Sequence, residues 1–279
     1  MNGASRVVVL FGGGGAKAAC HAGAWRALVE EWLTPAQIYG TSMGAVVGAA
    51  LACGLSPEEV QARMSAIRRA DVARPRLLAL VAGFYADSIL KPGPLRHTIE
   101  RFVPARSFSE LRIPLTVTAV DADSGALVTF GIGGDESVPL IDALCASCAL
   151  PLYYPAVAIN SRRYIDGGHR GVTPFEAAAG ERADLVVAVD PGPGFDEPDT
   201  PPPPAPAMIR AHDDATGILM AALSWAQLAA WRADPSRPPL VYVRPRVSRN
   251  ATFDVASVAA YAAEGYRATR EALVSRGHH

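Results

Sequence analysis

The chain has 279 residues, 50% hydrophobic and 19% charged, with 26 Lys and Arg against 27 Asp and Glu for a formal charge of -1. That balance, without a basic run, argues against a nucleic-acid partner, and Gly 25 with Pro 23 stays below the share that marks disorder. The start carries no signal-peptide pattern and no apolar stretch reaches about 18 residues, so no transmembrane segment is expected. A soluble protein made in the cytoplasm is predicted, and export by a route without an N-terminal signal stays open.

In chain order, residues 7–11 form a β-branched run that stops at Gly12-Gly13-Gly14-Gly15. Residues 16–31 then carry helix formers with apolar positions at Ala19, Ala22, Leu28 and Trp32, giving strand, glycine loop, helix. A second strand-turn-helix unit follows: Ile38-Tyr39, then Gly40-Thr41-Ser42-Met43-Gly44, then a small-residue helix over 45–53. Ser56-Pro57-Glu58-Glu59 supplies an N-cap, a first-turn proline and acids, which predicts a helix over 57–69. Residues 77–85 are a continuous apolar run, and a helix is expected over 95–102.

Residues 114–120 and 126–130 read as a hairpin about Ser124-Gly125, with Asp121 at the end of its first strand. A helix over 140–149 is stopped by Pro151, short strands flank Asn160-Ser161, and 185–189 is a buried strand ending at Asp190. Six prolines within 198–206 predict an exposed loop, about 196–207, inside a single domain spanning 1–279. A core strand over 240–243 and a helix over 253–274 close the chain. The alternation predicts an α/β fold with a mostly parallel sheet, whose strand ends carry the glycine loop, Ser42, Asp121 and Asp190. Cys20, Cys53, Cys145 and Cys148 sit among apolar or small neighbours and read as free thiols; the Cys145-x-x-Cys148 spacing lacks the second ligand pair that zinc needs.

Gly40-Thr41-Ser42-Met43-Gly44 fits G-x-S-x-G, a tight turn that exposes a serine at a helix N-terminus, where developing negative charge is favoured. The consecutive glycines 12–15 let backbone N–H groups converge on an anion and are a candidate oxyanion hole. A Walker loop is excluded because Ala16 and Ala18 flank Lys17, and a dinucleotide fingerprint is disfavoured because Glu30 and Glu31 fall inside the helical pattern. For the base, Ser42, Asp121 and His169 keep the order of a Ser-His-Asp hydrolase, but Ser42 comes too early for the strands that usually precede the elbow. His21, His97 and His212 do not sit plainly at strand ends. Asp166, between Arg163-Tyr164-Ile165 and two glycines, is the other candidate; a free carboxylate is a weak base, so desolvation must raise it.

Together these blocks resemble the patatin-like phospholipase family, in order, from Val7 to about Pro174. Residues 11–23 are similar to its glycine-rich block, Gly40 to Ala45 to its nucleophile elbow, and Asp166-Gly167-Gly168 to its Asp-Gly-Gly, with Ala146-Ser147-Cys148-Ala149-Leu150-Pro151, Pro155 and Tyr164 leading to it. The resemblance implies a three-layer α/β/α sandwich and a lipid acyl hydrolase of phospholipase A, lysophospholipase or carboxylesterase type. Its catalytic pair would be Ser42 and Asp166, its oxyanion hole the N–H groups of Gly13, Gly14 and Gly15, with an acyl-enzyme intermediate, no metal and no cofactor. Lys17 matches the basic position of the glycine block, for loop ordering or a phosphate head group, although a surface charge is the simpler account. The implied partners are a lipid or acyl-ester substrate and a transient membrane surface; a silent acyl-binding module of the same fold is the alternative. Two departures stand out: Ala18 where the family commonly has glycine, and Val172-Thr173-Pro174 where it often places asparagine before proline.

Overall fold

Strands buried on both faces need apolar side chains at every position, and the runs 7–11 and 185–189 meet that demand. In a computed structural model, which describes residues 6–76, 85–196, 205–247 and 252–276, both are central strands. The strands are β1 (Val7–Phe11), β2 (Pro35–Thr41), β3 (Leu115–Asp121), β4 (Leu127–Gly131), β5 (Val157–Ile159), β6 (Arg162–Asp166), β7 (Leu185–Val189) and β8 (Leu240–Val243). Among the described residues they make one sheet in the order β5-β6-β3-β2-β1-β7-β8, with β4 also on β3. The pairs among β3, β2, β1, β7 and β8 are parallel, whereas the pairs β3–β4, β3–β6 and β5–β6 are antiparallel.

One feature of the register places the site. Thr116, Val117 and Thr118 pair with β2 and β4 at once, and Ala119 and Val120 pair with β4 and β6 at once. A strand has two edges, so β6 lies on the same edge of β3 as β2 and takes over where β2 ends. Thr41 is opposite Thr118 and Asp166 is opposite Ala119, which brings the residue after Thr41 beside Asp166.

The helices are α1 (Cys20–Glu30), α2 (Met43–Ala52), α3 (Pro57–Ser65), α4 (Arg69–Val72), α5 (Pro92–Phe102), α6 (Leu140–Ser147), α7 (Ala207–Ala233) and α8 (Val258–Arg276). Side chains alternate along β1: Val7, Val9 and Phe11 join the larger core under α1, α2, α3, α5, α6 and α8, while Val8 and Leu10 join a smaller one with Phe175, Leu228 and Trp231. Helices therefore cover both faces of the sheet. The capping box at α3 forms as its sequence predicts: Glu59 N–H donates to Ser56 Oγ (3.1 Å) and Ser56 N–H donates to Glu59 Oε2 (2.8 Å).

Two expectations change. The helix expected over 16–31 is a 3-10 turn over Gly15–Ala19 followed by α1, and Trp32 lies past its end at φ 59°, almost fully exposed. The helix expected over 57–69 is broken between α3 and α4. Helix α7 begins at Ala207, where the loop expected over about 196–207 ends. Most of the apolar run 77–85 and of the proline-rich loop lie outside the described residues.

Candidate active site

Ser42 is the hinge between β2 and α2, at φ 53° and ψ -134°, a left-handed conformation that a side chain adopts only when its surroundings hold it. The flanking glycines make the turn sterically feasible: a Cβ on Gly40 would stand 2.4 Å from Ala45 Cα, and one on Gly44 would stand 2.4 Å from the Gly12 carbonyl oxygen. The strained residue is tied down through its N–H, which donates to Ser147 Oγ at 2.8 Å, and through its carbonyl, which accepts from Ala45 and Val46 in the first turn of α2.

From this perch Ser42 Oγ donates to Asp166 Oδ2 at 2.7 Å. The other carboxylate oxygen, Oδ1, accepts from Gly168 N–H at 2.8 Å, and Asp166 N–H donates to the Ala149 carbonyl at 3.0 Å. Burial pushes the Asp166 carboxyl above the usual carboxylate range, against the opposing pull of the Ser42 hydroxyl, His169 and the Gly168 N–H. That is the desolvation a carboxylate base requires. His169 does not intervene: its Nδ1 faces the Asp166 carbonyl at 3.3 Å. Asp121 is occupied elsewhere, its Oδ1 accepting from the N–H groups of Asp123 and Ser124 to close the β3–β4 turn.

The glycine loop lies across from the elbow, and its four N–H groups are not equivalent. Gly12 N–H donates to the Val189 carbonyl (2.9 Å) and Gly13 N–H to the Val172 carbonyl (2.9 Å), so Gly13 does not offer the free donor expected of it. Its role is close approach instead, since a Cβ there would stand 3.2 Å from Ser42 Cβ. Gly14 and Gly15 have no such backbone acceptor for their N–H groups among the described residues.

The loop is held from behind. His21 Nε2 lies 2.8 Å from the Gly12 carbonyl, its ring stacked on Phe11 with centroids 4.4 Å apart, and burial lowers the imidazole to about 4. A neutral ring donating to that carbonyl follows. Asp190 accepts from Gly192 N–H (2.9 Å) and from Tyr242 Oη–H (2.8 Å), stiffening the turn whose Pro191 backs Gly14. Lys17 is 2% exposed, which overturns its reading as a surface charge.

Sequence reasoning missed Ser147, Val172 and the part played by His21. Ser147 stands in the run 146–151 that leads to Asp166, so its position was visible and its role was not. At the departure Val172-Thr173-Pro174, Val172 supplies the carbonyl for Gly13, and Thr173 Oγ1 is buried without a hydrogen-bond partner among the described residues. Cys148 is buried close to the pair, its thiol pushed well up by burial and by Asp166. Cys20 and Cys145 are likewise buried and Cys53 is half-buried, all unbridged. Among the described residues no three His, Cys, Asp or Glu side chains group as metal ligands.

A family model described as Patatin-like phospholipase matches residues 9–179. An uncharacterized NTE family protein of Mycobacterium tuberculosis is 33% identical over 184 residues, 66% of this chain and 48% of the relative. Patatin-like phospholipase domain-containing protein 6 of Homo sapiens is 24% identical over 246 residues, 87% of this chain and 16% of that protein. The chain thus spans about half the length of the mycobacterial relative and a smaller share of the human one. Among solved structures, VipD from Legionella pneumophila aligns with 98% of this chain and 67% of its own at 13% identity and a TM-score of 0.53, a likeness of fold.

Proposed function

The chain belongs to the patatin-like phospholipase family, and from that premise we propose that it is a lipid acyl hydrolase working through Ser42 and Asp166. The observation that carries this reading is the 2.7 Å hydrogen bond from a strained serine hydroxyl to a buried carboxylate. As Ser42 Oγ attacks the acyl carbonyl, its proton passes to Asp166 Oδ2 and the carbonyl oxygen takes up negative charge. The N–H groups of Gly14 and Gly15, with the positive end of α2, receive that charge; each such donor is worth on the order of 10²–10³ in rate. Collapse expels the alcohol, which takes the proton from Asp166 and leaves Ser42 acylated. Water, deprotonated by Asp166, attacks the ester; the tetrahedral intermediate collapses, and Ser42 Oγ leaves with that proton, freeing the fatty acid.

Lys17, buried beneath the loop, orders it and does not meet a head group in this reading. His169 lies outside the proton path because Ser42 donates to the carboxylate.

Hydrolysis of p-nitrophenyl esters over a range of acyl lengths tests the reading. Ser42→Ala and Asp166→Asn are each expected to lower kcat/KM by at least about 10³-fold with the fold intact, whereas His169→Ala keeps most activity. The acid limb of the wild-type profile should lie above the ordinary carboxylate range, since Asp166 must be ionised to accept the proton. Equal loss in His169→Ala and Ser42→Ala would make histidine the base. A well-folded wild type that neither turns over nor takes a fluorophosphonate on Ser42 would be a silent acyl-binding module.

A further inference from the structure

Helix α7 runs beside the catalytic aspartate. Met220 Cε lies 3.4 Å from where a Cβ on Gly168 would stand, Tyr153 Oη–H donates to Asp213 Oδ2 at 2.6 Å, and Gln227 Nε2 donates to the Arg170 carbonyl at 2.8 Å. Its last turns are seated in the smaller core through Leu228 and Trp231.

The outer face is unusual for a helix in water. From Ala215 to Trp231 there is no charged residue, although Ile218 is 51%, Leu219 70% and Trp225 56% exposed. Phe195, 59% exposed, adds its ring 6.5 Å from that of Trp225. A surface helix ordinarily turns charged residues outward, and an exposed apolar patch beside a site marks an interaction surface. Without charges of its own the face offers an acidic or basic partner nothing to pair with.

Resting on the lipid-ester reading above, we propose that this face of α7, with Phe195, seats the protein on a lipid aggregate. The occupant follows from position: one side of the helix contacts the Asp166-Gly167-Gly168 turn and the other presents Leu219 and Trp225, so docking would bring the apolar end of α7 and the reaction centre to the same membrane surface. Tryptophan suits such a boundary because its ring is apolar and its N–H is wettable. The docking proposed here is peripheral; no helix among the described residues is long and apolar enough to cross a membrane.

The test uses the Ser42→Ala chain, which leaves vesicle composition unchanged, with phosphatidylcholine vesicles lacking or containing phosphatidylglycerol. Flotation should recover it with both vesicle types, and Leu219→Glu with Trp225→Glu should cut the bound fraction at least tenfold with an unchanged circular dichroism spectrum. Trp32→Glu, exposed beyond α1 on the other side of the sheet, should bind as before. No flotation by the folded Ser42→Ala chain, or equal flotation by the α7 double variant, overturns the proposal. Binding only to vesicles containing phosphatidylglycerol also overturns it, because an uncharged face does not read head-group charge. So does a dimer by light scattering that the double variant dissolves, which would make the face a contact between two copies. Failed flotation with Ser42-dependent turnover of soluble esters sinks the docking face alone, whereas flotation without any turnover sinks the catalytic reading alone.

Discussion

At the scale of single residues, the site holds groups whose protonation differs from that in water, and two of them, His21 and Asp166, act oppositely on stability. His21 is buried and neutral, lowered to about 4 by burial against an unfolded value near 6.5. Below pH 6.5 the unfolded chain takes up a proton that the folded ring refuses, so this contribution is full above pH 6.5 and is lost as pH falls toward 4. Between pH 7 and 5 the loss is roughly 2 kcal/mol. Asp166, raised by burial, gains its proton in the fold before it does in the unfolded chain, which partly offsets that loss at the acid end. His21→Gln keeps an N–H for the Gly12 carbonyl and has no proton to gain. Urea midpoints at pH 7 and 5 should therefore fall steeply for the wild type and much less for His21→Gln; parallel slopes would place the acid sensitivity elsewhere.

At the scale of elements, α1 carries His21, whose ring holds the Gly12 carbonyl of the glycine loop, and it is pressed against α8. A Cβ on Gly23 would stand 1.8 Å from the Ala262 carbonyl oxygen, so the two backbones touch where no side chain fits. Alanine is ordinarily the better helix former by about 1 kcal/mol. Here the sign reverses: Gly23→Ala should cost at least about 2 kcal/mol, read as a lower melting temperature, because one helix must move away. A variant that melts at or above the wild type would contradict the contact. Local signals were legible at this scale: Ser56 and Glu59 announced the start of α3, and Ser124-Gly125 the β3–β4 turn. Ends set by the rest of the chain were not: Trp32 continues the apolar period of α1, yet it lies beyond it. The start of α7 was equally hidden, because Asp213-Asp214 and Thr216-Gly217 interrupt its pattern.

For the whole molecule, the parallel core could be read from apolar runs and glycine turns because each strand-turn-helix unit is local. What joins Ser42 to Asp166 was not readable, since it rests on β6 occupying the edge of β3 that β2 leaves, and an antiparallel pairing between distant segments leaves no periodic trace in either. The unequal glycines of the loop share that origin: the carbonyl that occupies Gly13 N–H belongs to Val172, far along the chain. Sequence indicated the candidate residues, and the sheet decides which of their atoms are already engaged.

The shared edge of β3 also bears on time. Ser42 and Asp166 are 124 positions apart in the chain, so a nascent or refolding molecule can complete β1, β2 and α2, elbow included, before Asp166 is in place. Pairing of distant segments is slow compared with helix growth. A slip of β6 by one residue would turn Asp166 to the opposite face of the sheet. On the hydrolase reading proposed above, ester turnover is a clock for the docking of β6. After dilution from denaturant, circular dichroism should recover first and turnover later, and simultaneous recovery would mean that β6 seats together with the parallel core.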